Sequence, residues 1–203
     1  MSKVSEKRSR VIGLTGGIAS GKSTVVIMLR QAGYKVIDAD QVVHDLQKKG
    51  EKLYNALVTA FGEQILNEEA ELDRPKLSEM IFSSPEKMEL SSRIQNDIIQ
   101  NRLRALKDQM ASKETVFFMD IPLLIELGYQ GWFDVIWLVY LDQQTQLDRL
   151  MARNHYSQEA AEKRLASQMP LTEKKAYADI IIDNNGSLEA LRKQVKEALK
   201  SLE

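Results

Sequence analysis

The chain has 203 residues, with 28 Lys and Arg against 29 Asp and Glu and a formal net charge of -1. No long basic stripe breaks that balance, which disfavours nucleic acid as the main ligand, because binding its backbone requires clustered Lys and Arg. There is no cysteine, and His44 and His155 are the only histidines, so disulfides, thiolate nucleophiles, iron–sulfur clusters and cysteine zinc sites are excluded and catalysis is left to carboxylates, Lys, Arg, Ser, Thr and backbone dipoles.

The basic start, MSKVSEKRSR, is followed by no apolar segment, so residues 1–9 read as a flexible tail and not as a signal peptide. No apolar run approaches the roughly 18–20 residues that span a bilayer, and a cytoplasmic location is expected. The first ordered element is RVIGL (10–14), a short β-branched run that predicts a buried strand. After it comes Gly16-Gly17-Ile18-Ala19-Ser20-Gly21-Lys22-Ser23-Thr24, in which Gly16 through Ser23 satisfies the phosphate-loop pattern G-x-x-x-x-G-K-[ST]. Glycines let backbone N–H groups turn inward around phosphate oxygens, and the helix expected at 22–32 adds unpaired N–H groups and a positive dipole end. Lys22 is placed to reach the β- and γ-phosphates and Ser23 to ligate the accompanying Mg²⁺.

A second strand, YKVID (34–38), leads into Val36-Ile37-Asp38-Ala39-Asp40. Strand alternation would send Asp38 and Asp40 to one face, where two like charges need a cation, hydrogen-bond donors or a solvated turn. From 41 to 114 the patterning is helical, with Met88, Ile94, Ile98, Leu103, Leu106 and Met110 marking one apolar face of a long helix. The stretch reads as a helical insertion between strands two and three. TVFFMD (115–120), VIWLVYL (135–141) and DIIID (179–183) are the remaining strands. Their continuous apolar character suggests burial on both faces, as in a parallel sheet covered by helices.

Between the last two strands lies a second helix-rich excursion, 143–178. Arg149 and Arg153 share a helix face there, and Arg164 and Gln168 repeat the spacing on the next helix. Such arginines suit a lid that covers phosphates and excludes water. The closing helix (187–202) presents Leu188, Leu191, Val195, Ala198 and Leu199 as its packing face. His44 and His155 carry no motif and read as ordinary surface or packing residues. Phosphate loops occur in GTPases, motor ATPases and small-molecule kinases. The missing Asn-Lys-x-Asp guanine signature lowers the first, and the small size, with no arginine-rich oligomer face, lowers the second.

GLTGGIASGKST, VIDAD with nearby His44, LDRPKL, DIPLLIE, VYLDQQTQLDRLMARN and DIIIDNNGS occur in this order. Together, from about residue 10 to residue 200, they closely resemble the dephospho-CoA kinase family. The resemblance implies an α/β fold: a P-loop kinase-type open parallel five-stranded sheet flanked by helices, with a helical substrate-binding insertion (about 41–114) and a helical lid (about 143–170). It implies ATP as phosphoryl donor, Mg²⁺, and dephospho-CoA as the small-molecule acceptor, converted to CoA. A monomer acting without nucleic acid or membrane fits it.

Carried over by position, the family's catalytic aspartate falls on Asp40, against the acceptor 3′-hydroxyl, with Asp38 nearer the metal and phosphates. The phosphate-covering arginine falls on Arg149 or Arg153, and the adenine-side loop on Asn184. Thr15, His44, Arg74, Pro122, Leu123, Leu124 and Glu126 match positions around the acceptor, and Asp120, at the end of the third strand, occupies a Walker-B-like place that holds Mg²⁺ through water. The family commonly carries His-Pro where this chain reads Asn96-Asp97; without the proline the long helix should run on uninterrupted. Two rivals remain: a small-molecule P-loop kinase with a nucleoside, nucleotide or shikimate-like acceptor, and a non-catalytic nucleotide or CoA sensor.

Overall fold

The structure, a computed structural model, describes residues 8–202. Of the expected flexible tail, residues 1–7 lie outside the described residues. Arg8 and Ser9 are attached: Arg8 pairs with Asp134 at 3.1 Å, and Ser9 Oγ donates to the Glu114 carbonyl at 2.7 Å. The described residues form two compact units, one comprising the chain up to Ile37 and from Gln109 onward, the other Asp38–Asp108.

The first unit is built on five strands: β1 (Arg10–Gly16), β2 (Lys35–Asp38), β3 (Val116–Asp120), β4 (Val135–Tyr140) and β5 (Ile180–Asp183). Their order is β2-β3-β1-β4-β5, and the β1–β3, β1–β4 and β4–β5 ladders are parallel. Each strand falls within a residue or two of the run that marks it in the sequence. The three central strands are buried along nearly their whole length. The edge strands β2 and β5 are not, and Ile181 on β5 is 42% exposed. Continuous apolar patterning therefore describes the sheet centre, where helices cover both faces, better than its margins.

Nine α-helices occur among the described residues. α1 (Lys22–Gln31) follows β1; α2 (Ala39–Leu46), α3 (Lys52–Phe61), α4 (Arg74–Phe82) and α5 (Pro85–Ala111) come next. α6 (Gln143–Asn154), α7 (Gln158–Leu165) and the short α8 (Leu171–Lys174) lie between β4 and β5, and α9 (Leu188–Lys200) closes the chain. The main core joins Ile12, Leu14, Phe118, Trp137 and Val139 of the sheet to Val25, Val26 and Leu29 of α1 and Leu191, Val195 and Ala198 of α9. Phe118 and Trp137 meet edge to face, with centroids 5.1 Å apart, the arrangement favoured by their quadrupoles. Leu199 packs against this core, but Leu188 is 52% exposed. It is the first residue of α9, and that first turn lies beyond the packed stretch.

In the second unit, Leu46, Leu53, Leu57, Phe61, Ile65 and Leu77 form a separate core against which Leu90, Ile94, Ile98 and Ile99 of α5 pack. Met88, assigned by periodicity to that face, is 42% exposed; Leu90 packs there instead. α5 runs unbroken for 27 residues through Asn96 and Asp97, as the absence of proline requires. α4 begins with an Asp73 cap that accepts from the Lys76 N–H, and with Pro75 in its first turn, both helix-start signals.

Two expectations are corrected at this level. Asp38 and Asp40 do not share a strand face. The strand ends at Asp38, whose carboxylate accepts from the Gln41 N–H at 3.0 Å and caps α2, so Asp40 is helical. Gln168 does not repeat a helix face with Arg164, because α7 stops at Leu165. His155 has a structural place, ending α6 with φ 55°.

Candidate active site

β1 ends where the sheet order reverses, with β3 on one side and β4 on the other. Ligands of open α/β sheets bind outside the carboxyl ends of strands at such points. The loop leaving β1 enters α1 through Gly21, whose φ of 89° is left-handed, a conformation that suits glycine. That cap supplies no side-chain hydrogen bond, and the first turn of α1 contains no acidic residue. The first N–H groups and the positive dipole end are thus left for an anion. Within the loop, Ser20 Oγ is buried without a hydrogen-bond partner, an unspent donor where the pattern predicts phosphate.

Several predicted residues come together around this loop. Lys22, first in α1, forms an ion pair with Asp120, last in β3. Asn184, immediately after β5, donates through Nδ2 to the Ser20 carbonyl at 2.8 Å, and its own carbonyl accepts from Arg149 Nη2 at 3.1 Å. Arg149 is half-buried beside the loop. Arg153, exposed one turn further on, bonds to neighbouring Asn154 at 2.9 Å. The sequence left these two arginines equivalent; packing separates them. Ser23 is exposed in the first turn of α1, and Thr24 follows it half-buried.

The segment after β3 is anchored from two sides. Thr15 Oγ1 donates to the Pro122 carbonyl at 3.0 Å, and Lys174 Nζ donates to the same oxygen at 3.1 Å. Lys174 also pairs with Glu126 at 2.9 Å, although its side chain is wholly buried. Glu126 in turn accepts from the Met169 N–H at 3.2 Å. Leu124 is buried in this segment while Leu123 is at the surface. Glu126, placed by sequence among acceptor contacts, is therefore also the counter-charge of a buried lysine.

The second unit holds Asp38, Asp40, His44 and Arg74. Asp38 is half-buried and occupied as a helix cap; Asp40 is exposed in the first turn of α2. Arg74 Nη2 lies 3.3 Å from His44 Nδ1 and 3.4 Å from Gln47 Oε1. A guanidinium only donates, so His44 accepts through Nδ1 and its neutral form carries the proton on Nε2. His44 thus has a specific polar partner, which its lack of a motif did not reveal.

Among the described residues no group of three or more acidic or histidine side chains is arranged to hold a metal ion. Mg²⁺ does not need such a cage: it keeps waters and binds through one or two protein oxygens plus substrate phosphates. The hydroxyl of Ser23 and the carboxylate of Asp120 fit that oxygen chemistry. Asp142, the cap of α6, has its carboxyl held below the ordinary range, first by the Thr145 hydroxyl and then by the Thr145 N–H. That cap fixes where the arginine-bearing helix starts.

Sequence reading missed Lys174 and Gln146. Nothing in the sequence around Lys174 distinguishes it from its neighbour Lys175, which is only half-buried. Gln146 had one usable signal, its place three residues before Arg149 on the same helix face.

Comparison with known proteins agrees with this geometry. A family profile described as dephospho-CoA kinase matches residues 10–190. A dephospho-CoA kinase of Streptococcus pyogenes serotype M3 is 64% identical over 192 residues, covering 95% of this chain and 98% of that protein. One from Streptococcus agalactiae serotype Ia is 59% identical over 194 residues, covering 96% and 100%. Among solved structures, a protein of Thermus thermophilus superposes with a TM-score of 0.80 at 32% identity, covering 97% of this chain and 99% of its own. The dephospho-CoA kinase of Campylobacter jejuni superposes at 0.72 and 28% identity, covering 95% and 96%. A shikimate kinase of Bacteroides thetaiotaomicron, at 0.54 and 14% identity over 95% and 98%, shares the fold alone. With the phosphate loop at the switch point of the sheet, and with family motifs matched over nearly its whole length, the chain belongs to the dephospho-CoA kinase family.

Proposed function

We infer that this chain transfers the γ-phosphoryl group of ATP to the ribose 3′-hydroxyl of dephospho-CoA, giving CoA and ADP, the last step of CoA synthesis. The observation that carries the reading is the uncapped, acid-free start of α1 behind Gly21, with Lys22 beside it, in a chain of this family. A helix opening on N–H groups and a lysine favours a polyphosphate over a neutral ligand.

In this reading the loop from Gly16 to Thr24 cradles the phosphates through main-chain N–H groups other than those of Ile18 and Ser20, which already donate to Gln168 Oε1 and to the Gly17 carbonyl. Lys22 exchanges part of its contact with Asp120 for the β- and γ-phosphates. Asn184 borders the adenine. Arg149, with Arg153 further out, covers the transferring group and excludes water. Asp40 accepts a hydrogen bond from the 3′-hydroxyl, aims it in line and takes its proton late. A carboxylate is far too weak a base to remove a ribose hydroxyl proton beforehand, and a loose transition state does not require it to. Ser23, Asp38 and Asp120 are the residues that would hold Mg²⁺ carried in with the nucleotide, and the ion would supply positive charge to the phosphate oxygens. Thr15, His44, Arg74, Pro122, Leu123, Leu124 and Glu126 make up the acceptor side, with the exposed Arg74 guanidinium suited to the acceptor's phosphates.

Most of the acceleration then comes from positioning and fixed charge. A small-molecule acceptor, a monomer and a cytoplasmic location accompany this reading. Among the described residues no helix is long and apolar enough to cross a membrane. The test is ADP release, by coupled assay, with dephospho-CoA against a panel of nucleosides, nucleotides and shikimate. Turnover confined to dephospho-CoA is expected; preference for another acceptor, or no ADP release with any, overturns the assignment.

A further inference from the structure

Ile18 stands in the middle of the phosphate loop, and both of its main-chain polar groups are taken by side-chain amides. Gln146 Nε2 donates to the Ile18 carbonyl at 2.7 Å, and the Ile18 N–H donates to Gln168 Oε1 at 3.1 Å. Gln146 is buried on α6, one turn before Arg149; Gln168 is half-buried in the segment between α7 and α8. A carbonyl only accepts and an N–H only donates, so the two amides must face the loop in opposite senses. Gly17 adds an independent observation. The pattern G-x-x-x-x-G-K-[ST] requires Gly16 and Gly21 but not Gly17. A Cβ at Gly17 would stand 2.5 Å from Gln146 Nε2 and 3.3 Å from side-chain carbons of Leu171. A methyl group there displaces the amide.

We propose that Gln146 and Gln168 are positioning residues, a two-amide clip that holds the two successive peptides flanking the Ile18 Cα between the two ends of the α6–α7 segment, and that Gly17 is the space the clip needs. They touch the loop's backbone and not the reacting atoms. Phosphate binding by main-chain N–H groups depends on peptide planes already aimed, because a loop that must order itself on binding loses affinity. The clip sets the planes on either side of Ile18, and Gln146 ties the second of them to the helix that carries Arg149. The inference rests on the ATP-binding reading above.

The test measures ATP affinity by titration calorimetry, alongside thermal unfolding to confirm a folded chain, first for the wild type and then for variants. Gln146→Ala is expected to weaken ATP binding about fivefold to tenfold, the effect of one lost hydrogen bond, and to raise the KM for ATP more than that for the acceptor. Gly17→Ala should weaken it further, and Gly17→Ala with Gln146→Ala should bind ATP better than Gly17→Ala does, because the methyl then has room. The bond senses give a second comparison. Gln168→Glu keeps an acceptor for the Ile18 N–H, whereas Gln146→Glu sets a carboxylate against the Ile18 carbonyl. With the same added charge, Gln146→Glu should lose about tenfold more affinity. Additive losses in the Gly17 and Gln146 pair, or equal losses in the two glutamates, overturn the clip while wild-type ATP binding still supports the function. Should Gly17→Ala fail to fold, the two glutamates alone decide. No ATP binding by the wild type overturns both readings.

Discussion

Lys22 and Asp120, 98 residues apart in sequence, form an ion pair at the mouth of the sheet, with side chains only 15% and 6% exposed. The lysine opens α1 and the aspartate ends β3, so one contact joins the phosphate loop to the neighbouring strand. A charged pair this far from water survives only with good geometry on both sides. In the proposed reading the same lysine would serve the phosphates, with the aspartate holding it extended beside the loop.

Removing either partner should therefore separate two effects. Lys22→Ala should abolish useful turnover, with kcat/KM falling by about a hundredfold or more. Asp120→Asn keeps the shape but not the charge and should lower kcat by roughly tenfold, with a stability loss on the order of 1–3 kcal/mol. Steady-state kinetics with urea unfolding check both.

Asp40, exposed in the first turn of α2, should behave as the residue that receives the hydroxyl proton. Asp40→Asn is expected to lower kcat by about 10² to 10⁴ while ATP affinity stays within a few-fold. Near-normal turnover of that variant would remove Asp40 from the catalytic role. Asp38→Ala, in contrast, removes the α2 cap, and should destabilise the fold by about 1 kcal/mol in thermal unfolding.

The two arginines of α6 should not be equivalent. Arg149 bonds to the Asn184 carbonyl and lies beside Gly21, whereas Arg153, at the surface, bonds to its neighbour Asn154. Arg149→Ala should reduce kcat more than Arg153→Ala, and it alone should lower the Tm. Equal, small effects on kcat in both variants would show that neither covers the transferring phosphoryl group.

Lys174 makes a prediction about stability without chemistry. Its buried ammonium is paired with Glu126 and held by the Pro122 carbonyl. Lys174→Met leaves the Glu126 carboxylate without its counter-charge and should cost about 3 kcal/mol. Lys174→Met with Glu126→Leu should regain much of that loss, because an apolar replacement of both partners restores the balance. Chemical denaturation of the single and double variants measures the coupling.

Much of this was readable from local order along the chain. The glycine spacing around Lys22, the apolar runs and the turn residues each concern neighbours in sequence, and β-strands and helices obey the same short periods. The strand boundaries and the unbroken α5 follow from such signals. Local signals also misled where two elements meet. Strand alternation put Asp38 and Asp40 on one face, but the strand ends at Asp38, whose carboxylate accepts the Gln41 N–H, and the helix starts at Ala39. Met88 and Leu188 fit their helical periods but stand at helix ends, where the period continues and the packing partner does not.

The long-range relationships left no such trace. Lys174 looks like any other lysine in its stretch until the fold encloses it, and its charge is tolerated only because Glu126 and Pro122 arrive from elsewhere. Gln146 and Gln168 look like polar surface residues of a helical segment until they meet Ile18. The glycine beside it, Gly17, makes room for Gln146 across 129 residues of chain. Residue type and spacing determine which chemistry is available, because backbone preferences and the kinds of functional group a residue carries are local properties. Which carboxylate faces which cation, and which arginine sits beside the loop, depends on contacts between elements distant in sequence, and those exist only once the core has closed.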